Sequence, residues 1–198
     1  MTETGQSSCR NGLKVCCVLK SGGDYTPEYV ERLKEGVDKH LSWHQFICLS
    51  DMDVPDRIPL ENNWPGWWSK LEIFKLTGKV LYFDLDTVIN GDLSEIADYP
   101  HRFTMLQDFI QPYNASGMMA WDGDYSNLYH EFKPGHIEQY KRGGDGEYIR
   151  KRINADTFQN LFPELIASHK MHNLKQRTEA RVICYHGHPR PAQTGWSI

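Results

Sequence analysis

The chain has 198 residues and a formal net charge of −4, the length of one α/β domain and not the polybasic balance of a general nucleic-acid binder. The first hundred residues carry 16 acids against 10 bases; the remainder carries 10 against 12 and seven of the nine His, which suits a phosphorylated ligand as well as ordinary surface charge. No apolar run reaches the ~18 residues of a membrane span, and residues 1–12 lack the apolar core of a signal peptide.

Residues 1–12 read as a flexible tail and 13–198 as one domain. Cys9, Cys16, Cys17, Cys48 and Cys184 are odd in number and form no Cys-x-x-Cys. Reduced, mostly buried thiols in a cytoplasmic protein are expected.

The run "LKVCCVLK" (13–20) predicts a first buried strand, and "SGGDY" (21–25) a Gly-rich turn. A helix is predicted for "TPEYVERLKEGVDKHL" (26–41), with Thr26 at the N-cap and Pro27 in the first turn. A second strand, "HQFICLS" (44–50), completes a strand, turn, helix, strand order that opens an α/β sheet. "WWSKLEIFKLT" (67–77) predicts a helix stopped by Gly78, before the strand that starts "GKVLYFDLD". Further strands are expected at 102–109 and 117–121, a helix broken near Pro134 over 126–142, a short helix at 145–154, and late strands at 164–173 and 180–186.

The strand from Val80 to Ile89 carries two carboxylates, Asp84 and Asp86, among apolar residues. Side chains at i and i+2 of a strand share a face, so both are expected to aim at one spot. Buried unpaired carboxylates cost several kcal/mol, and two side by side repel each other. A divalent cation between them is the simplest resolution. Ligands of open α/β sheets bind beyond the carboxyl ends of the strands. The Gly-rich turn and the Asp pair both fall there, so one site from two distant stretches is expected.

In chain order, "VLKSGGDY" (18–25), "WSKLEIF" (68–74), "VLYFDLDTVINGDLSEI" (80–96), "YNASGMMAW" (113–121), "GGDGEYI" (143–149) and "HGHPRP" (186–191) cover most of the sequence. Together they resemble metal-dependent nucleotide-sugar glycosyltransferases of the GT-A fold, a Rossmann-like α/β domain with a mixed central sheet and helices on both faces, in the branch of glycogenin and the bacterial lipopolysaccharide galactosyltransferases. The resemblance implies a D-x-D metal site of Asp84 and Asp86, with His186 as a further ligand to Mn²⁺ or Mg²⁺; His188 is a second candidate. It implies a nucleotide-sugar donor, by default a UDP-sugar, touched by Leu19, Lys20, Tyr25, Lys70, Asp84, Ser116, Gly187 and Arg190. Asp145, Lys70 and Asn114 would stand at the reacting centre. Lys70 and Arg190 would stabilise charge on the leaving diphosphate.

Two departures stand out. Asp145 is followed by Gly146 where the family has Gln, which leaves retention or inversion open, and His186 adjoins Gly187 directly where the family places it three residues ahead. Trp64, Trp67 and Trp68 read either as an acceptor wall or as core. Tyr25 reads as a base-stacking ring or a plain turn aromatic. The tail from His186 onward has no helix signal and is expected to be mobile and to close as a lid on donor binding. The acceptor is open. A hydroxylated nucleic-acid base is one option, prompted by Arg150, Lys151, Arg152, Lys170, Lys175, Arg177 and Arg181. Alternatives are a haloacid-dehalogenase-like phosphatase using Asp84 as nucleophile and Asp86 as general acid, and a catalytically degenerate nucleotide-sugar-binding module.

Overall fold

The computed structural model describes residues 12–196. Cys9 and the expected N-terminal tail, apart from Gly12, lie outside the described residues.

The first strand, β1 (Lys14–Leu19), pairs in parallel with β2 (Gln45–Ser50) on one side and β4 (Gly78–Phe83) on the other. A short β3 (Arg57–Pro59) edges β2. On the far side β4 meets the antiparallel β7 (Asn114–Gly123), followed by β6 (Phe103–Gln107) and β8 (Asp156–Thr157). The result is a seven-stranded mixed sheet in the order β3-β2-β1-β4-β7-β6-β8. The first strands read as unbroken apolar runs because both faces are covered. Val15, Cys17 and Leu19 pack with Tyr29, Val30, Leu33 and Val37 of helix α1 (Pro27–His40). Cys16 faces the other way, into a core with Trp68, Leu71, Ile73 and Phe74. Each such buried side chain contributes ~1.5–3 kcal/mol. Cys16, Cys17, Cys48 and Cys184 are buried free thiols. Thr26 caps α1 by position only, its side chain making no capping bond.

The segment expected as an α-helix at 67–77 is a 3-10 helix, Gly66–Lys75. Trp68 through Phe74 are all buried, Ser69, Lys70 and Glu72 included. A stretch buried on every side, as Trp68–Phe74 is, takes its winding from its neighbours and not from its own periodicity. Glu72, with no exposed surface, accepts the backbone N–H groups of Glu61 and Asn62 at 2.9 and 2.7 Å and pairs with Lys75.

The aspartate pair lies beyond the strand, not within it. β4 ends at Phe83, Asp84–Asp86 form a turn closed by the Thr87 N–H on the Asp84 carbonyl (3.1 Å), and β5 (Thr87–Ile89) begins a second sheet. That sheet has the order β5-β10-β9, with β9 at Ile166–Ser168 and β10 at Val182–Cys184. The strand expected over 164–173 stops at Ser168, whose hydroxyl accepts the Lys170 and Met171 N–H groups and turns the chain. The helix expected over 126–142 is broken at Pro134 into α3 (Asn127–His130) and α4 (Gly135–Gln139); α2 (Ser94–Asp98), α5 (Gly144–Arg150) and α6 (Phe158–Leu161) complete the helices.

The C-terminal tail is docked. Pro191–Thr194 form a 3-10 turn, Pro191 is buried, and the Trp196 ring meets Tyr29 of α1 edge-on at 4.7 Å.

Candidate active site

The carboxyl ends of β1 and β4, the 3-10 helix, the start of β7 and the N-terminus of α5 converge on Lys70. Its ammonium lies 2.9 Å from Asp84 Oδ1 and 3.2 Å from Asp145 Oδ2. It also donates to Ser116 Oγ at 3.2 Å, and Ser116 Oγ in turn donates to Asp145 Oδ2 at 2.6 Å. Burial acts to lower the Lys70 pKa, but Asp145 and Asp84 overcome it and hold the ammonium above its ordinary range. Tyr82, two residues before Asp84, donates to Asp84 Oδ1 at 2.5 Å.

Asp86 has different partners. Tyr25 OH donates to its Oδ2 at 2.8 Å, and Arg190 Nη1 donates to the same oxygen at 2.6 Å and to Tyr25 OH at 2.5 Å. The Asp86 backbone carbonyl accepts the Tyr185 N–H at 2.9 Å, which ties the turn to the end of β10. Burial and then the charge on Asp84 push the Asp86 carboxyl up to about 6, even with Tyr25 and Arg190 in place. The repulsion expected from two neighbouring carboxylates is therefore present, although they meet at a turn and not along one strand face.

Two adjoining cavities open here. The first, about 430 Å³, is lined by Lys20 through Tyr25, Trp67, Lys70, Asp84 and Arg190. The second, about 330 Å³, is lined by Asp86, Asp108, Ser116, Asp145, His186 and Gly187 among others. Trp67, Lys70 and Asp84 belong to both. Another depression, about 680 Å³ beside β2 and β3, has its Lys34 paired with Asp38 and Asp56.

Most residues expected at the site line it. Lys20 does so while paired with Asp51 and Asn63, which with the Ser21 bonds to Asp51 brace the Gly-rich turn. Leu19 differs: its side chain is fully buried in the core, leaving its neighbour Val18 to line the cavity. Asn114, the first residue of β7, lines neither cavity, and its carbonyl accepts from Arg150. The Tyr25 ring sits between the Tyr29 edge and the Arg190 guanidinium, its hydroxyl fixed on Asp86. His186 faces the second cavity, but its Nε2 is bonded to Ser168 Oγ at 2.7 Å and its ring stacks on Phe109. His188 is bonded to Gln193. Among the described residues no three His, Cys, Asp or Glu side chains stand close enough together to hold a metal.

A cation here would rest on the Asp84–Asp86 pair. Two carboxylates open into one cleft, their mutual repulsion is only partly relieved, and the wall carries His186. Burial and nearby Lys170 lower the pKa of that imidazole, which favours its neutral, ligating form. Of the seven basic residues that suggested nucleic acid, three are matched by acids: Lys151 pairs with Glu147, Arg177 with Glu164 and Arg181 with Glu95. Sequence reasoning missed Tyr82 and Asp51. Tyr82 carried a signal, since it shares the strand parity of Asp84; Asp51 carried none.

No family model matches the chain, and no curated protein matches it by sequence. Solved structures do match. The glycosyltransferase GlyE of Streptococcus pneumoniae TIGR4 shares a TM-score of 0.65 at 12% identity, over 90% of this chain and 55% of GlyE. The galactosyltransferase LgtC, solved with donor and acceptor sugar analogues, gives 0.62 at 12% identity, over 90% and 88%. The bifunctional WbbM gives 0.64 at 14% identity, over 91% and 47%. The chain thus has the GT-A glycosyltransferase fold and spans about half the length of the GlyE and WbbM chains. Among the described residues no helix is long and apolar enough to cross a membrane.

Proposed function

We propose that the protein is a glycosyltransferase that moves a glycosyl group from a nucleotide sugar, UDP-linked, to an acceptor hydroxyl. The observation that carries this reading is the buried Lys70, shared by two carboxylates where two cavities meet, on a fold held in common with glycosyltransferases. The first cavity, under the Gly-rich turn, takes the nucleotide. The second takes the sugar and the acceptor.

In the transfer, the bond from the anomeric carbon to the diphosphate oxygen breaks, and its electron pair leaves with the nucleotide. The acceptor oxygen bonds the anomeric carbon, and its proton passes to the departing diphosphate oxygen. Lys70 fixes Asp84 and Asp145 and keeps a positive charge facing the leaving group. A divalent cation would be held by Asp84 and Asp86 and would supply charge neutralisation at the diphosphate; His186 would join them only on leaving Ser168 Oγ. Arg190 then exchanges Asp86 for the diphosphate, so the tail stays closed over the donor and excludes water. The phosphatase alternative loses support from the fold, which is shared with glycosyltransferases.

Release of UDP from a panel of UDP-sugars with Mn²⁺, followed by phosphorus NMR, tests the reading. UDP release that vanishes in Asp84→Asn is expected. A protein that binds no nucleotide sugar, or that hydrolyses simple phosphomonoesters instead, would overturn it. Donor binding without any turnover would favour the binding module.

A further inference from the structure

Trp67 stands between two tryptophan neighbours that behave differently. Trp64 and Trp68 turn onto Phe132, with centroids 4.7 and 5.3 Å away. Trp68 is 4% exposed, while Trp67 keeps 58% of its surface in water. A single exposed aromatic is ordinary on a protein surface; what distinguishes Trp67 is where it stands. Its position is the junction of the two cavities, both of which it lines.

The indole is seated against Gly144, which has φ +61°, and a Cβ there would come within 3.1 Å of Trp67 Nε1. Gly144 immediately precedes Asp145, one of the two carboxylates on Lys70. The ring and the reacting centre are thus held by the same turn.

The chemistry of the second cavity says what lies on that ring. Asp84, Asp86, Asp108 and Asp145 line it against Lys70 and His186, and Lys70 is already matched by two of those acids. With Asp84 and Asp86 given to the donor, Asp108 and Asp145 leave carboxylate oxygens on the acceptor side that can accept from hydroxyl groups. A flat apolar face beside hydroxyl-binding oxygens matches a neutral pyranose, which has a C–H face and a hydroxylated edge.

We infer that Trp67 is the stacking platform for the acceptor, and that the acceptor presents a neutral pyranose ring: it is a saccharide, not a nucleic acid. The word acceptor rests on the glycosyltransferase reading; the pyranose site itself does not.

The test is saturation-transfer NMR on the full chain with diamagnetic Mg²⁺, with and without UDP. The probes are methyl β-D-glucopyranoside, methyl β-D-galactopyranoside, lactose and maltose, with a ten-residue oligothymidylate as the charged alternative. Saturation of the ring C–H protons of at least one saccharide is expected. Trp67→Ala should weaken its binding about tenfold or more, and Trp67→Phe should keep most of it. Trp67→Leu keeps the bulk without the π face and serves if the alanine variant misfolds. Saccharide binding equal in wild type and Trp67→Leu, no saccharide binding by the wild type, or binding of the oligonucleotide in its place would overturn the platform. UDP binding by calorimetry on the same wild-type sample keeps the two ideas separate. Trp67-dependent saccharide binding without UDP binding would support the platform and remove the transferase.

Discussion

Each aspartate of the Asp84–Asp86 turn is matched to a cation, but the two matches are built from different material. Lys70 comes from the 3-10 helix beneath the sheet and is locked by β7 and α5, with side-chain exposure of 8% for itself and for Asp145. Arg190 comes from the tail, 104 residues away in sequence, and is 18% exposed. The first corner is scaffold, since removing its cation strands the buried Asp145 and leaves the partly exposed Asp84 without its ammonium. The second holds Asp86 and the tail together and, on the proposed metal-dependent reading, is an exchangeable counter-ion. One turn thereby joins a fixed half and a removable half.

The largest expected effect follows from breaking the fixed half. Lys70→Met should cost ~3–5 kcal/mol in urea unfolding and abolish transfer, because Asp84 and Asp145 lose their shared partner. A loss below ~1 kcal/mol would mean that the corner is not structural.

The two aspartates themselves should separate next. Asp84→Asn removes a charged partner of Lys70 and Tyr82 and should cost ~1.5–3 kcal/mol. Asp86→Asn should leave apo stability unchanged or raise it, because burial and Asp84 already disfavour its charge. Both should lose Mn²⁺-dependent stabilisation by UDP-sugars in a thermal-shift assay, and equal apo melting temperatures for the two variants would erase the contrast.

A smaller effect is expected in the removable half. Arg190→Gln should change apo stability by ~0–1 kcal/mol, the range of partly exposed ion pairs, while weakening UDP binding in calorimetry. Truncation after His186 should cost more than that substitution, because it also removes buried Pro191 and the Trp196 contact with Tyr29. An unchanged melting temperature on truncation would restore the mobile tail expected from sequence.

The smallest effect concerns the brace under the Gly-rich turn. Burial would raise the Asp51 carboxyl, but Lys20 and the Ser21 hydroxyl and backbone bonds hold it down to about 2. A carboxylate held down in the folded state stabilises above its unfolded pKa of ~3.9 and loses that contribution as pH falls towards 2. Asp51→Asn should therefore be less stable than wild type at pH 6 by ~1 kcal/mol or less, with the gap closing below pH 4. A gap that persists at pH 2.5 would assign the effect to hydrogen bonding alone.

The sheet was legible where burial makes strands read as apolar runs, as in β1, β2 and β4. The edge strand β3 and the two-residue β8 carry no such run. The aspartates were legible as a pair, because carboxylates amid Phe83, Leu85 and Val88 demand a partner. Their placement in a turn was not, because the same apolar run continues across it into a second sheet. Lys70 could be singled out by its motif, but its ties to Ser116 and Asp145 span 46 residues and more and exist only after folding. The docking of Arg190 onto Asp86 was hidden for the same reason. A tail rich in Gly and Pro looks loose until Tyr25 and Tyr29 supply the surface that holds it.

Isothermal titration of UDP-sugars into the full chain, with Mn²⁺ and then with EDTA, measures most directly whether the Asp84–Asp86 turn holds a metal-bridged donor. Binding with Mn²⁺ that weakens at least tenfold in EDTA, and that Asp86→Asn reduces to the EDTA level, is the expected result. Equal affinity in Mn²⁺ and EDTA, or no binding in either, would contradict a donor site bridged by metal at that turn.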